Sequence, residues 1–406
     1  MTSKETDPAL PASSLEDQDG AGKQPDTSLV DKVNAMAAKA LAKPPVKRRA
    51  SKKPPAAHAF ENTQLSLFQS FLCNTAEERK ELSNTIDLWD SIPRYSVSRQ
   101  TMNRLRGPQG NLKLLKLEFH YRSKQFRAVI QPAKIEVEDK NGELVEMDFY
   151  PSASEELVED ALRKIAADQQ QGYFDKKDYR SGAVFSLHAL REELKRRGHS
   201  RSYQELMLSL RILAKSNIEI IDLDDSGGGF ASSSYLPALA GVTRKDLEAD
   251  PGAKWLAQFH PLVTQSIDQL KYRQFNYHQM MQHKTQLARW IHKQLALKFT
   301  FASIGKTFDM RFSTIHRDSA LLNGYAEDSL RLAVIAVDEA FAELTPKVLM
   351  FAPEKKVLRG ARNKIQDVVY TLSPSLEFVH AMKASNKRIN LAEKRVGAPL
   401  TTATSS

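Results

Sequence analysis

The sequence predicts an α+β protein with two tandem winged-helix domains behind a disordered N-terminal tail. Residues 1–60 are rich in Ala, Pro, Ser, Lys and Asp, and no aromatic residue precedes Phe60. Such a segment buries too little apolar area to offset its chain entropy. From residue 144 onward, two units share one order of elements, in which helices are followed by a β-hairpin. This order is typical of a winged helix, and no residue-level repeat accompanies it.

The composition narrows the class of protein. The chain has 406 residues, a net charge of +10 and a pI near 9.4, which favours a polyanionic partner. A single cysteine, Cys73, excludes a disulfide framework and a zinc site built from several cysteines. No apolar run reaches the length of about 18 residues that a membrane span needs. The polar N-terminus lacks the apolar core of a signal peptide, so we expect a cytoplasmic protein without membrane contact.

The N-terminal tail ends in a basic linker. The segment KPPVKRRASKKPP at 43–55 carries six Lys or Arg and no acid. Two interpretations stay open: a solvated, extended linker, or a flexible arm that binds phosphates, because counterion release requires no fold.

A second basic block spans residues 94–134, where Glu118 is the single acid. Apolar residues alternate through it at strand spacing, which predicts a basic sheet. Its cations are Arg94, Arg99, Arg104, Arg106, Lys113, Lys116, Arg122, Lys124, Arg127 and Lys134.

The first of the two units is justified element by element. Gly198 is a natural helix stop, and the glycine-rich turn at 224–229 supplies the positive φ angles that a wing tip needs. The pattern predicts strands at 144–150, 184–185, 218–223 and 230–239, and helices at 154–170, 187–197 and 202–216.

The elements of the second unit are predicted in the same way, from the residues that begin and end them. Pro261 suits the first position of a helix, and Pro346 stops one. The pattern predicts an extended start at 254–260, a short helix from 261, helices at 277–298, 313–322 and 326–344, strands at 348–351 and 368–372, and a basic turn at 353–364.

The pentapeptide QLSLF at 64–68 is the sharpest short motif. Its residues are Gln64, Leu65, Ser66, Leu67 and Phe68. Alternating apolar anchors in a disordered segment suit recognition of an extended peptide by a groove. The motif looks like the one by which bacterial replication proteins bind the DNA polymerase sliding clamp. The alternative is that these residues begin an amphipathic helix of the folded domain.

A longer stretch, RSYQELMLSLRILAKSNIEIIDLDDSGGG at 201–229, resembles the TrfA-type plasmid replication initiators, which are Rep proteins built from tandem winged helices. The likeness extends over roughly 60–70% of the chain, while the basic turn at 353–364 and the tail after Lys387 depart from the family pattern. The residues that carry it are Arg201, Ser202, Tyr203, Leu206, Leu210, Leu213, Ile218 and Ile220.

This resemblance implies an initiator that binds repeated origin sites, called iterons, in double-stranded DNA. It implies opening of the adjacent A·T-rich DNA, with single-stranded A·T-rich DNA as a further partner. It also implies recruitment of host DnaA, the DnaB helicase and the sliding clamp, and an equilibrium between a homodimer and a DNA-active monomer. No catalytic residue, metal or cofactor is implied.

Basic residues outside the apolar stripes are the candidate DNA contacts. We expect them on a helix at 201–216, on a helix at 311–331 and on the second wing. They are Arg201, Arg211, Arg311, His316, Arg317, Arg331, Lys355, Lys356, Arg359, Arg362 and Lys364.

Signals for catalysis are sparse. The chain has no GxxxxGK[ST] and no HExxH. Tyr121 and Lys124 have the Tyr-x-x-Lys spacing of a nicking site, but no His-x-His cluster accompanies them. The alternative functions are therefore a rolling-circle nicking initiator and a winged-helix transcriptional repressor. Trp255 and Trp290 are expected in the core.

These observations divide the chain into five parts. The expected parts are a disordered tail with basic linker at 1–60, a clamp-binding peptide and connection at 61–75, the basic segment with the first winged helix at 76–245, the second winged helix at 246–387, and a disordered tail at 388–406.

Overall fold

The structure, a computed structural model, describes residues 80–138, 142–167, 171–175, 178–224, 229–241, 254–325 and 330–397. The tail predicted at 1–60 and the pentapeptide at 64–68 lie outside these ranges.

The first half of the described chain mixes short helices with antiparallel strands. A short 3-10 helix at Trp89–Ser91 follows the first strand. The elements are β1 Leu82–Ile86, α1 Arg99–Leu105, β2 Leu115–Tyr121, β3 Lys124–Gln131, β4 Ala133–Glu138, β5 Leu144–Phe149, α2 Ala153–Ala166, β6 Gly172–Asp175, β7 Arg180–Phe185, α3 Leu187–Arg196, α4 Tyr203–Lys215, β8 Asn217–Asp222, β9 Phe230–Ser234 and β10 Leu239–Ala240.

Helices α2, α3 and α4 and the hairpin β8–β9 form the first winged helix, as predicted. Local chemistry fixes the start of α4: the Ser202 hydroxyl accepts from Glu205 N at 3.2 Å, while Glu205 Oε2 accepts from Ser202 N at 2.7 Å. This reciprocal capping satisfies two backbone donors that the first turn would otherwise leave free. The apolar stripe Leu206, Leu210 and Leu213 is fully buried, as its spacing predicts.

The sheets of this half are built differently from a minimal winged helix. The predicted basic sheet exists as the hairpin β2–β3, and it pairs with the wing in the strand order β2-β3-β8-β9. Strand β4 pairs with β5 as a separate hairpin, and helix α4 packs against β4. The wing is therefore widened into a four-stranded antiparallel sheet.

The second half is richer in helix. Its elements are β11 Trp255–Gln258, α5 Pro261–Asp268, β12 Tyr272–Asn276, α6 Tyr277–Gln282, α7 Gln286–Lys298, β13 Phe308–Arg311, α8 Phe312–Ser319, α9 Leu330–Leu344, β14 Glu354–Arg359, β15 Ile365–Leu372 and α10 Leu376–Gly397.

Helices α7, α8 and α9 and the strands β13, β14 and β15 form the second winged helix. The sheet order is β13-β15-β14, so the strand between the first two helices pairs with the hairpin that follows the third. Val337 and Phe341 of α9 are buried, as predicted. The α+β class with two tandem winged helices is thus confirmed.

Two predicted helices are wrong in extent. The helix predicted at 277–298 is broken at 283–285, where Thr285 caps α7 by accepting from Ala288 N at 3.2 Å. The helix expected at 311–331 ends at Ser319, because Ala320 adopts a left-handed backbone conformation with φ 52°. Arg311 consequently lies at the end of strand β13, and Arg331 lies in the separate helix α9.

The second wing and the C-terminus also differ from the prediction. Residues 354–359, expected in a basic turn, form strand β14, and the turn itself is confined to 360–364. The expected strand at 348–351 is absent from the described structure there, apart from one bridge between Leu349 and Pro374. The tail predicted as disordered from 388 begins inside α10, so 388–397 are helical.

Two strand pairs join the two halves of the described chain. Strand β1, which precedes the first winged helix, pairs with β12 in register from Leu82 with Asn276 to Ile86 with Tyr272. Strand β11, predicted to begin the second unit, pairs with β7 of the first. A division at 245/246 therefore cuts across two strand pairs, because pairing partners distant in the sequence leave no local signal.

The predicted core anchors are confirmed. Trp255 and Trp290 are 6% and 7% exposed. None of the helices in the described ranges combines the length and hydropathy that crossing a bilayer requires.

Candidate nucleic-acid interface

A buried network of ion pairs connects the two winged helices. It contains four carboxylates and four cations, and each side chain is at most 8% exposed. Its members are Asp90, Arg94, Glu156, Glu159, Asp160, Arg163, Arg289 and Lys293.

Asp90 is the centre of this network. Its Oδ2 accepts from Arg163 Nη1 at 2.8 Å and from Ile86 N at 2.7 Å, and its Oδ1 accepts from Arg94 Nη2 at 2.9 Å. The neighbouring guanidinium groups hold the pKa of Asp90 well below its usual range, although burial alone would raise it. Glu159 responds in the same way, and its pKa falls to about 2. Both carboxylates are therefore ionised at neutral pH.

Lys293 of α7 makes a central contact between the two units. Its Nζ lies 2.6 Å from Asp160 Oδ2 and 3.2 Å from Glu156 Oε1, both on α2. Because α2 and α7 are the first helices of the two winged helices, this ammonium links them, together with Arg289, whose Nη2 lies 3.7 Å from Glu156 Oε2. The distance between the outward faces of the two winged helices therefore depends on this buried ion pair.

Helix α4 presents one solvent-facing stripe. Its described side chains include Gln204 and Lys215, which are exposed, and Leu208 and Arg211, which are half-buried. Positions 204, 208, 211 and 215 follow helical periodicity, so they share one face. Arg211 makes no ion pair in the described structure. Arg201, by contrast, lies before the helix and donates to the Ser200 carbonyl at 2.9 Å.

Helix α9, the third helix of the second unit, has an unexpected outer face. Leu332 is 54% exposed and Ile335 is 41% exposed, and Arg331 and Glu339 are also exposed. This face is apolar and of mixed charge, so Arg331 is its only exposed cation among the described residues.

The cations of the second wing divide between the two sides of β14. Lys355 faces α9, and its Nζ lies 2.5 Å from Asp338 Oδ2. Arg359 lies on the same side and donates to the Asn363 carbonyl at 3.0 Å, which closes the turn. Lys356 points to the opposite side, is exposed, and has no ion pair in the described ranges. Strand alternation, rather than a loop, causes this division.

The structure brings three of the predicted DNA contacts together. Arg331, Lys355 and Arg359 line a groove of about 510 Å³ between α9 and β14, together with Asp338. Lys364 is exposed in the adjoining turn, and Arg362 lies in the short 3-10 helix Ala361–Asn363 of that turn.

The three predicted contacts on and beside α8 are engaged within the protein. Arg317 Nε and Nη2 donate to both oxygens of Asp318, at 2.7 and 3.0 Å, and these bonds raise the pKa of Arg317. Arg311 Nη1 lies 3.8 Å from Asp367 Oδ2. His316 stacks on Phe312, with ring centroids 5.9 Å apart. Helix α8 packs against β2 of the first unit, while the Arg311 and Arg317 side chains stay 61% and 43% exposed.

The candidate nicking tyrosine is not set up as a nucleophile. Tyr121 OH donates to Asp87 Oδ2 at 2.7 Å, and burial together with this carboxylate raises the pKa of Tyr121. An activated nucleophile needs the opposite shift. Among the residues that the structure describes, no three His, Cys, Asp or Glu side chains are grouped as a metal site would need.

Comparison with known proteins leaves the family open. No protein-family model matches the chain, and no curated protein matches it. A solved structure of domains 2 and 3 of RctB matches with a TM-score of 0.41 and 10% identity, covering 67% of this chain and 95% of that one. A second RctB structure of domains 2–3 gives 0.39 and 11%, covering 68% and 97%. The Pi initiator protein in complex with iteron DNA gives 0.31 and 12%, covering 73% and 99%.

Proposed function

We propose that this protein is a plasmid replication initiator that binds iterons through its two winged helices. The observation that carries the proposal is the pair of winged helices with uncompensated cations at their outer elements. Arg211 and Lys215 lie on α4 of the first unit, and Lys356 and Lys364 lie on the wing of the second. The sequence resemblance at 201–229 supports the same function.

The two kinds of contact have different tasks. Lysines on a wing suit phosphates, which fix the register of a protein on DNA without reading sequence. Arg211 at the centre of the α4 stripe suits a base edge in the major groove. Leu332 and Ile335 of α9 offer apolar contacts, which suit the methyl groups of thymine. The free energy of these contacts is available for bending and opening A·T-rich DNA without any covalent step.

Other parts of the proposal come from the resemblance. They are recruitment of DnaA and of the DnaB helicase, binding of single-stranded A·T-rich DNA, an equilibrium between monomer and homodimer, a cytoplasmic location, and the absence of catalysis and of a cofactor. A nicking initiator is the less favoured function, because Tyr121 is bound to Asp87. We also propose that the pentapeptide QLSLF at 64–68, the clamp motif, binds the sliding clamp, which a repressor would not need.

The wing provides the first test. Footprinting on DNA that flanks the gene should show protected repeats. On these repeats, the double variant Lys356→Ala/Lys364→Ala should lower the slope of log affinity against log salt by about 2, since each lysine releases about one counterion when it meets a phosphate. Salt-dependent fluorescence anisotropy with a labelled repeat measures this slope.

Lys355→Ala is the matched control. It removes the same charge from the neighbouring position of β14, but this lysine is already paired with Asp338. We expect its slope to stay within about 0.5 of the parent slope. An unchanged slope in the double variant would place the wing away from DNA, and absence of protected repeats would contradict the proposed function itself.

The clamp motif provides an independent test. Leu67→Ala/Phe68→Ala should abolish capture by an immobilised sliding clamp while footprints stay normal. Burial of the two side chains gives about 3–6 kcal/mol before the cost of ordering the peptide, so a micromolar interaction is expected. Pull-down with the purified clamp measures capture.

Ser66→Ala is the control within the motif, because this change removes little apolar area and should retain capture. If the double variant loses origin binding or unfolds, Leu67 and Phe68 belong to the folded core, and the alternative interpretation of the motif is correct. If it still captures the clamp, the contact lies elsewhere.

A further inference from the structure

A large cavity lies where the two units meet, away from α4 and from the second wing. Its volume is about 820 Å³. Its walls come from the tip of the hairpin β2–β3, the turn before β12, the C-terminal end of α7, helix α8 and Ile389 of α10. Pockets of about 300–1,000 Å³ hold small organic ligands.

Cations dominate the walls of this cavity. Five of its lining side chains are basic and two are acidic, so the lining carries a net charge of +3. The basic residues are Arg122, Lys271, Arg273, Lys298 and Arg317.

Both acids are already used by the other two cations. Asp87 Oδ2 lies 2.5 Å from Arg122 Nη2, and Asp318 binds Arg317 through both oxygens. Lys271, Arg273 and Lys298 have no carboxylate within 4.0 Å in the described part of the chain. Arg273 Nη2 donates to the Asn386 Oδ1 amide oxygen, which carries no charge. Three positive charges are therefore left without a carboxylate partner in one cavity.

Two of these cations have lowered pKa values. Lys298 is exposed at the cavity wall, and partial desolvation there lowers its pKa. Burial also lowers the pKa of Arg273. Arg273 Nε and His120 Nδ1 are buried in the walls and have no hydrogen-bond partner in the described structure. A buried donor without a partner costs free energy that a ligand could recover.

The backbone at the cavity is also strained. Arg122 and Ser123 form the two-residue turn of the hairpin with φ 49° and 65°, and Leu270 has φ 55°. Non-glycine residues avoid this left-handed region, and asparagine followed by glycine would be the easier choice for such a turn. Strain of this kind is concentrated at ligand sites. Arg122 and Ser123 of this turn both line the cavity.

We propose that this cavity binds the oligophosphate chain of a nucleoside triphosphate. Three uncompensated cations suit a triphosphate, and the remaining volume suits a nucleoside, for which Gln269, Thr300 and Thr314 supply hydrogen-bonding groups. Because the walls come from both units, the bound nucleotide would contact both. This site is separate from the proposed DNA surfaces and uses no P-loop.

Calorimetric titration of the full chain with ATP and Mg²⁺ at physiological ionic strength tests the proposal. We expect one site per chain, and the variant Lys271→Met/Lys298→Met should weaken binding about ten-fold or more, as loss of charge-assisted contacts requires. Lys383→Met, an exposed lysine of α10, should leave the affinity unchanged. Circular dichroism establishes that each variant is folded.

Further titrations identify which molecule supplies the phosphate groups that the cavity binds. Weaker binding of inorganic triphosphate than of ATP supports a nucleotide, and equal binding overturns that assignment. Absence of ATP binding, or equal weakening in Lys383→Met, overturns the site. Affinity for origin repeats should be unchanged in Lys271→Met/Lys298→Met; a ten-fold loss would assign the cavity to DNA instead.

Discussion

Replacing Lys293 with methionine is expected to lower the free energy of unfolding by about 3–5 kcal/mol. Lys293 is 3% exposed and is the shared counter-charge of Asp160 and Glu156. Methionine fills a similar volume but leaves two carboxylates buried near each other with less positive charge. Urea unfolding followed by circular dichroism measures the loss.

Two variants make this result specific. Lys116→Met removes an exposed lysine of β2 and should change the free energy of unfolding by less than about 0.5 kcal/mol. Glu156→Gln combined with Lys293→Met should recover part of the loss, because it removes one of the two carboxylates that lose their ammonium partner. A loss below about 1 kcal/mol in Lys293→Met would mean that water or a rearranged partner compensates the carboxylates.

Acid should destabilise the protein well above the pH at which carboxylates titrate. Burial lowers the pKa of His260 to about 3 and of His283 to about 4, and it lowers the pKa of His292 well below its usual value. His283 Nε2 lies 2.9 Å from His292 Nδ1, so this pair shares one hydrogen bond and resists a second proton.

The charges around these rings differ. Glu159 and Arg94 face His260, with opposite effects on its pKa. Glu343 raises and Arg289 and Lys347 lower the pKa of His283, while Lys293 lowers that of His292. Desolvation is the largest cause for all three.

The direction follows from proton linkage. An unfolded histidine has a pKa of about 6.5, so below this pH the unfolded chain binds more protons than the folded protein. The stabilisation that comes from keeping these histidines neutral is fully present above a pH of about 6.5 and is lost as the pH falls toward the folded pKa values. Three histidines together give about 4 kcal/mol per pH unit between pH of about 6 and 5. Denaturant unfolding at several pH values measures this slope.

His283→Gln is the informative variant, because an amide can still bond His292 but does not titrate. It should lower the slope by about one third. His188→Gln, at an exposed position of α3, should leave the slope unchanged. A parent slope that corresponds to one proton or fewer would show that the buried rings are protonated in the folded protein.

The elements that the sequence predicts well are those whose causes are local. Helix α4 begins within one residue of its predicted start, because Ser202 and Glu205 cap it and Leu206, Leu210 and Leu213 mark its buried face. A cap and an apolar stripe both act within a few turns of one helix. The three helices of the first winged helix were predictable for this reason.

The candidate site was less predictable, because its geometry depends on distant partners. Charged residues of α2 have the pattern of a solvated face, yet Glu156 and Asp160 are buried against Lys293, which lies 137 and 133 positions away. Charged side chains are rarely buried unless paired, and the pairing is invisible in a local window. Arg317 is a similar case, since its partner Asp318 directs it into a cavity.

The strand pairing between the two halves has an evolutionary consequence. Strand β1 of the first half pairs with β12 of the second half, and β11 of the second half pairs with β7 of the first. Recombination between two related genes within the connection at 241–254 would inherit one member of each strand pair from each parent. A chimera would then need matching strand edges at both junctions, in addition to matching counter-charges between α2 and α7. We therefore expect the two winged helices to be inherited together and to diversify as one cassette, rather than being shuffled as separate modules.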